Sequence, residues 1–183
     1  YLKTMEKKDY LHNPTHIFID DALYFITAAN YKKQPLLQQA DLKQRLINCI
    51  QSSFKRYQWE LHHWLILDNH YHVLGKSRNG HDLAKIMRQT HSVSGYHIKK
   101  ATQVQHPVWW NYWDYCPRSE EDYWLRLNYL FNNPVKHGYV NNLKDYPFSS
   151  FHSFLAAQGR EMLVNRFKRY SGYQSLNLDE DDF

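Results

Sequence analysis

The order of two hydrophobic patterns along the chain limits its fold more than any other feature. Segments that are rich in β-branched and aromatic residues, several with apolar and polar positions alternating, predict strands or hairpins at 15–30, 59–68, 70–77 and 108–116. Segments with apolar residues at helical spacing predict helices at 38–58, 80–102 and 119–132. The order βαββαβ followed by a helix is typical of the split βαβ, ferredoxin-like α+β fold. We therefore expect one antiparallel sheet with helices on one face, plus an additional helix.

The patterns also suggest how the chain is divided. Residues 1–13 are interpreted as an N-terminal extension, part of which could be of vector origin because position 1 is not Met. Residues 14–155 form the predicted domain, and 156–183 a basic segment with a short helix and a loose acidic tail. The chain has no apolar run long enough to span a membrane and no signal-peptide h-region. Its two cysteines lack CxxC spacing, so we expect a cytoplasmic protein with reduced thiols.

The charge of the chain is unevenly distributed. Four of the eighteen acidic residues lie in the last five positions, so residues 1–178 carry 23 basic and 14 acidic side chains, a net charge of +9. Aromatic residues make up 16% of the chain. A basic, aromatic-rich domain favours a nucleic-acid partner, because bases stack on rings while cations neutralise phosphates. Many basic proteins bind no polyanion, so composition alone leaves both readings open.

The stretch "LDNHYHVLGKS" (67–77) contains a His-x-His pair. On a strand, His70 and His72 point to the same face and could hold one divalent ion, while Tyr71 faces the other way with Val73. The chain has twelve histidines, and about one such pair is expected by chance. Two half-exposed strand histidines without a ligand are the alternative.

The helix at 119–132 begins with a capping pattern, Ser119 followed by Asp122. At 100° per residue, Asp122, Arg126, Tyr129 and Asn133 form a polar stripe opposite an apolar arc. We expect Tyr129 to lie on this stripe, away from the core, and Pro134 to end the helix. An amide at i+4 from a tyrosine could ligate a metal near the phenol; a surface tyrosine and an Asn C-cap are the alternative.

The His-x-His strand, the helix with Tyr129 and the string "NYLFNNPVKHGYV" (128–140), followed by "DYPFSSF" (145–151), resemble the REP-associated branch of the single-tyrosine HUH transposases. The match covers about residues 14–155. The chain departs from the family in two ways: Asp68 stands where Pro is common before "NHYH", and Tyr71 is bulkier than the usual aliphatic residue. We expect Asp68 to alter the turn and not the site, and Tyr71 to have little effect if it faces the core.

This resemblance implies a fold in which the additional helix carries the catalytic tyrosine. Tyr129 matches the nucleophile, and His70, His72 and Asn133 match the ligands of a divalent metal ion, Mg²⁺ or Mn²⁺. The implied activity is metal-dependent cleavage and strand transfer of single-stranded DNA near repeat hairpins, through a 5′-phosphotyrosine intermediate. The implied partner is single-stranded DNA with imperfect palindromic hairpins, bound by a monomer or homodimer in the cytoplasm, at the nucleoid.

Basic residues in the predicted helices, in the "KHG" segment (136–138) and in the C-terminal segment are candidate DNA contacts. They are Arg88, Lys99, Lys100, Arg126, Lys136, His137, Arg166, Lys168 and Arg169. Trp109, Trp110 and Trp113 could stack on bases or pack in the core. Two other functions are considered: an inactive hairpin-binding protein of the same fold, and a metal-dependent nuclease in which water attacks. The acidic tail could also shield the basic surface.

Overall fold

The computed structural model describes residues 16–176 and contains, in that range, four strands and five α-helices. In chain order they are β1 (Leu23–Asn30), α1 (Ala40–Arg56), β2 (Glu60–Ile66), β3 (His70–Lys76), α2 (Leu83–Thr102), β4 (Trp109–Tyr115), α3 (Glu120–Lys136), α4 (Phe151–Gln158) and α5 (Arg160–Arg169). Short 3₁₀ helices lie at Tyr31–Lys33, Gly80–Asp82, Leu143–Asp145 and Ser171–Ser175. The predicted N-terminal extension and the acidic end of the tail lie outside the described residues.

The strands form one antiparallel sheet in the order β2-β3-β1-β4, which confirms the predicted fold class. The first strand is shorter than predicted and begins at Leu23. Residues 16–22 run irregularly before it, because side chains from elsewhere bind their backbone. The Ile17 N–H donates to the Asp114 carboxylate at 2.9 Å, and the Ile19 N–H donates to the Tyr24 hydroxyl at 2.7 Å.

The two faces of the sheet are covered by different helices. Tyr24, Ile26 and Val73 point to one face and pack against α1 and α2. Phe25 and Leu74 point to the other face, where they pack against α3. The alternation of side chains along each strand thus divides the core into two layers. The predicted helices of the βαββαβ unit share one face, and the additional helix covers the opposite one.

Helix α3 begins as predicted but ends later. The Ser119 side chain accepts a hydrogen bond from the Asp122 N–H at 3.1 Å. The prediction that Pro134 ends the helix was wrong, because α3 continues to Lys136. Pro134 lies in the last turn, where its missing N–H removes a single helical bond. The helix then ends in a Schellman motif, with Gly138 at φ 72° and the Tyr139 N–H donating to the Pro134 carbonyl at 2.9 Å.

Helices α4 and α5 cover the side of α3 that faces away from the sheet. Phe131 of α3 packs against Phe154 of α4, and the Asn128 side chain donates to the carbonyl of Tyr170 just after α5. The predicted boundary at residue 155 falls inside α4, and the division into domains stays a prediction. Among the described residues, no helix is both long and apolar enough to cross a membrane.

Candidate metal and tyrosine site

The two histidines of the His-x-His pair lie on the sheet face that α3 covers. Their ring centroids are 4.9 Å apart. His72 is fully buried and His70 is half-buried. Tyr71 points to the opposite face, as predicted, and its hydroxyl lies 2.9 Å from Nε2 of His91 on α2. The alternation along β3 therefore separates a histidine pair from a core tyrosine.

Side chains on neighbouring segments fix the orientation of both imidazoles. Nδ1 of His72 lies 2.7 Å from the Thr27 hydroxyl on β1, and Nδ1 of His70 lies 2.7 Å from Oδ1 of Asn69. When Nδ1 is the protonated nitrogen, Nε2 carries the lone pair that a metal requires. The sequence gives no signal for Thr27, because the strand register that brings it opposite His72 is a tertiary feature. Asn69 directly precedes His70, but only the structure shows that its side chain turns back to the imidazole.

Asn133 reaches the same place from α3. Its Oδ1 lies 3.3 Å from Nε2 of His70. Donors bound to one ion at about 2.1 Å lie roughly 3.0–3.4 Å apart in octahedral or tetrahedral geometry. The separation of these two atoms fits a shared ion. Asn133 is fully buried inside α3, so the alternative that it serves as a helix C-cap is wrong.

Two buried polar atoms at this place have no hydrogen-bond partner among residues 16–176: Nε2 of His72 and Nδ2 of Asn133. Loss of hydration holds the pKa of His72 well below its usual value. The nearby His70, His137 and Lys136 lower it further, and the Asn133 side chain partly opposes this shift. His72 is therefore neutral at pH 7, with a buried lone pair. Two imidazoles and an amide oxygen suit a hard or borderline divalent ion. In this range no cluster of three His, Cys, Asp or Glu side chains is arranged to hold a metal.

Tyr129 lies beside the histidine pair, but the prediction that its stripe faces away from the core was wrong. The residue is 2% exposed, and its ring centroid lies 5.6 Å from that of His72 and 6.3 Å from that of Phe25. The polar stripe of α3 lies against the sheet, while the apolar arc packs partly on the sheet, where Phe131 contacts His63 of β2, and partly on α4 and α5. Both sides of the helix are thereby buried, and the buried polar side includes Tyr129 and Asn133.

Two basic residues at the end of α3 are exposed next to this site. Lys136 places its ammonium nitrogen 4.9 Å from the Tyr129 ring centroid. The His137 ring lies 5.4 Å from that of His70, between centroids. The sequence predicts His137 only as a DNA contact. Its distance from His70 depends on how far α3 extends past Pro134 and on how α3 packs on the sheet, and no local sequence pattern indicates either.

Arg126 is a buried cation one turn before Tyr129 on α3. It is 8% exposed, and one of its terminal nitrogens has no hydrogen-bond partner within 16–176. Its Nε donates to Asp122 at 3.2 Å, and its guanidinium lies 3.5 Å from the ring centroid of Tyr115. Tyr115 also donates to Asp122 at 2.7 Å. The guanidinium is thus held in one orientation with spare donor capacity.

The other predicted DNA contacts are not brought to this site. Arg88, Lys99 and Lys100 lie on α2, on the opposite face of the sheet. Arg166, Lys168 and Arg169 lie on α5, where the Arg166 guanidinium is 4.2 Å from the Trp124 ring centroid and pairs with Glu120. Their roles stay predictions.

The three strand tryptophans have different surroundings. Trp109 packs in the core and stacks on His91 with 4.6 Å between centroids, whereas Trp110 contacts Tyr31. Trp113 lies opposite Thr27 on the edge strand. His63 of β2 is not close to these tryptophans and packs edge-on against Phe154 of α4.

The fold and the site define a class of protein. The model of the family described as "Transposase IS200 like" matches residues 21–117, more than half of the chain. The chain therefore belongs to the IS200-like transposase family, whose members are single-tyrosine HUH transposases. The matched range includes His70 and His72 and ends before α3.

Named relatives narrow this class. The chain is 30% identical over 103 residues to the REP-associated tyrosine transposase of Escherichia coli K12, covering 54% of this chain and 58% of the relative. It is 45% identical over 47 residues to a putative REP-associated tyrosine transposase of Haemophilus influenzae Rd, covering 26% of this chain and 27% of the relative. The matches thus span at most about three fifths of either relative.

A solved structure of a REP-associated tyrosine transposase bound to a REP hairpin is similar to this chain over most of its length. The TM-score is 0.67 at 25% identity, with 80% of this chain and 86% of that chain covered. The predicted resemblance to the REP-associated branch is confirmed.

Proposed function

We propose that this transposase cleaves and rejoins single-stranded DNA near imperfect palindromic hairpins, using Tyr129 as the nucleophile and a divalent ion held by His70, His72 and Asn133. The observation that carries the proposal is the convergence of these four side chains between α3 and the sheet, with a buried lone pair on His72. The relative whose structure contains a REP hairpin supports hairpin DNA as the partner.

The nucleophilic step is assigned to Tyr129. The Tyr129 hydroxyl attacks the scissile phosphorus in line, forming a tyrosine–phosphorus ester while the bond to the 3′-oxygen breaks. The departing 3′-oxygen takes up a proton, and the 5′-phosphate stays on Tyr129. A bound Mg²⁺ or Mn²⁺ would polarise the phosphate and stabilise the charge that builds on its oxygens. The ester keeps the phosphodiester energy, so a new 3′-hydroxyl can reverse the step.

Cations around these four side chains support this chemistry. The ammonium of Lys136, 4.9 Å from the Tyr129 ring centroid, stabilises the negative charge that the phenol oxygen acquires as it loses its proton. The buried Arg126 guanidinium, held by Asp122, offers its unused donor to a DNA phosphate. His137, exposed beside His70, is a further phosphate contact. The remaining basic residues of α2 and α5 would bind flanking backbone.

The test is to incubate the protein with labelled single-stranded hairpin DNA taken from the repeats around its own gene, with Mg²⁺ or Mn²⁺. We expect a covalent protein–DNA adduct on a denaturing gel, absent with EDTA and absent in Tyr129→Phe. Tyr123→Phe, on the same helix but facing away from the histidines, is the matched control and should keep the adduct.

Other results would favour the other two functions. Cleavage that survives Tyr129→Phe would mean that water attacks, as in a metal-dependent nuclease. Tight binding of the hairpin DNA without adduct or cleavage, with Mg²⁺ and with Mn²⁺, would mean that the protein binds hairpins but has lost its activity.

A further inference from the structure

The turn after β1 has an unusual backbone conformation. Lys32 and Lys33 are consecutive residues in the left-handed region, at φ 51° and φ 52°. This region is unfavourable for residues with a Cβ atom, and Gly or Asn is the usual choice there. Both lysines are exposed. Backbone strain of this kind clusters at ligand-binding sites, where the surrounding structure imposes it.

Aromatic rings that belong to neither core cluster surround this turn. The Tyr31 ring lies 5.0 Å from that of Trp110 and 5.3 Å from that of His106, between centroids. The ammonium of Lys32 lies 5.4 Å from the Tyr31 ring centroid. The three rings are half-buried, so part of each is accessible from solvent. A basic turn flanked by accessible rings has the composition of a surface that binds single-stranded nucleic acid.

The turn and its three neighbouring rings are connected to the candidate metal site through the side-chain amide of Asn69. The Asn69 side chain donates to the carbonyl of Lys33 at 3.3 Å, while its oxygen lies 2.7 Å from Nδ1 of His70. The backbone fixes the turn on both sides, since Asn30 donates to the carbonyl of Asn69 and Tyr31 donates to that of Val108. The strained turn therefore lies next to His70, at the same end of the sheet.

We propose that Tyr31, His106 and Trp110, together with Lys32 and Lys33, form a subsite for the unpaired nucleotides that adjoin the scissile phosphate. This rests on the proposed function, because it assumes that the scissile phosphate lies at His70 and Tyr129. Bases stack on the rings, and the lysines neutralise the phosphates between them. Stacking of this kind does not depend strongly on base identity, so the subsite holds the strand while the hairpin supplies recognition.

The test compares two probes: a labelled DNA hairpin with a short single-stranded dT extension, and the same hairpin with a blunt end. For Trp110→Ala and Tyr31→Ala we expect the affinity for the extended probe to fall about fivefold or more. The affinity for the blunt probe should change less than twofold. Phe18→Ala is the matched control, because Phe18 is an exposed ring stacked on His81 at the opposite end of the sheet.

The lysines allow charge and strain to be separated. The double variant Lys32→Gln with Lys33→Gln removes both charges and keeps the backbone strain. It should lower the affinity for the extended probe and leave the affinity for the blunt probe unchanged. Lys33→Gly also removes a charge but relieves strain, so it should weaken binding while raising Tm by about 2–4 °C. Lys55 is an exposed lysine near the end of α1, and Lys55→Gln should change neither the affinity for the extended probe nor the Tm. A lower Tm in Lys33→Gly would mean that the surroundings impose no strain on this turn.

The outcomes distinguish this inference from the proposed function. Equal losses of affinity for both probes would mean that the rings and lysines bind the duplex stem. Unchanged affinity for the extended probe would mean that they bind no DNA. Either result overturns the inference, even where the Tyr129 adduct still forms. If the wild type binds neither probe, the proposed function fails and this subsite fails with it.

Discussion

The Thr27 hydroxyl lies 2.7 Å from Nδ1 of His72, and both side chains are buried between the sheet and α3. This contact leaves Nε2 of His72 pointing into the site with its lone pair. Loss of one such partner typically weakens metal affinity 10- to 100-fold. We expect Thr27→Val to lower Mn²⁺ affinity by about that factor with little change in fold, measured by isothermal titration calorimetry. Thr27→Ser keeps the hydroxyl and should bind Mn²⁺ nearly as well as wild type; equal affinity in Thr27→Val would show that Thr27 does not orient the ligand.

Metal binding should also stabilise the folded protein, because the unfolded chain has no preformed site. At a free Mn²⁺ concentration of about 100 times Kd, the gain is about 2.7 kcal/mol, a rise in Tm of roughly 5–10 °C. His70→Ala should abolish this rise, and EDTA should reverse it in wild type. His62→Ala, which removes a half-buried histidine of β2, serves as the control and should keep the rise. A rise that persists in His70→Ala would place the ion elsewhere.

Asp68, which stands where the family commonly has proline, pairs with a lysine of α1. Its Oδ1 lies 2.6 Å from Nζ of Lys43, and Lys43 is 5% exposed. Asp68→Ala leaves a buried ammonium without its partner, so we expect the free energy of unfolding to fall by about 2–4 kcal/mol in denaturant titrations. The double variant Asp68→Ala with Lys43→Met removes both charges and should recover most of that loss. If the double variant is no more stable than the single one, the pair is not coupled.

His91 predicts a dependence of stability on pH. It packs against Tyr71 and Trp109, and loss of hydration lowers its pKa from 6.5 to about 3. Between these values the unfolded chain binds a proton and the folded protein does not, so the free energy of unfolding falls as pH decreases below 6.5. At pH 5 this histidine should account for a loss of up to about 2 kcal/mol relative to pH 7.

The measurement is the free energy of unfolding at several pH values for wild type and for His91→Gln, which keeps a hydrogen-bond acceptor for Tyr71 but cannot titrate. We expect a shallower slope between pH 6.5 and 4 in the variant. His63, whose pKa is lowered to about 4 by loss of hydration and by His62, should contribute its own slope in both proteins. Identical slopes would contradict the assignment to His91.

The sequence by itself determined the order of the elements and the local directions of side chains. The alternation along β3 required His70 and His72 to share a face with Tyr71 on the other, and Ser119 with Asp122 marked the start of α3. These features depend on neighbours a few residues apart, where backbone geometry fixes the outcome. The family resemblance then selected Tyr129 among the tyrosines.

The tertiary structure alone decided which surfaces are covered. The polar stripe of α3 looked exposed from the sequence, because periodicity separates two sides of a helix without saying what packs on each. With the sheet on one side and α4 and α5 on the other, Tyr129 and Asn133 are buried against the histidines. Strand register brought Thr27 to His72, and the packing of α3 brought His137 beside His70. Such contacts join residues far apart in the chain, so they follow from how the layers bury their apolar area together and not from any local pattern.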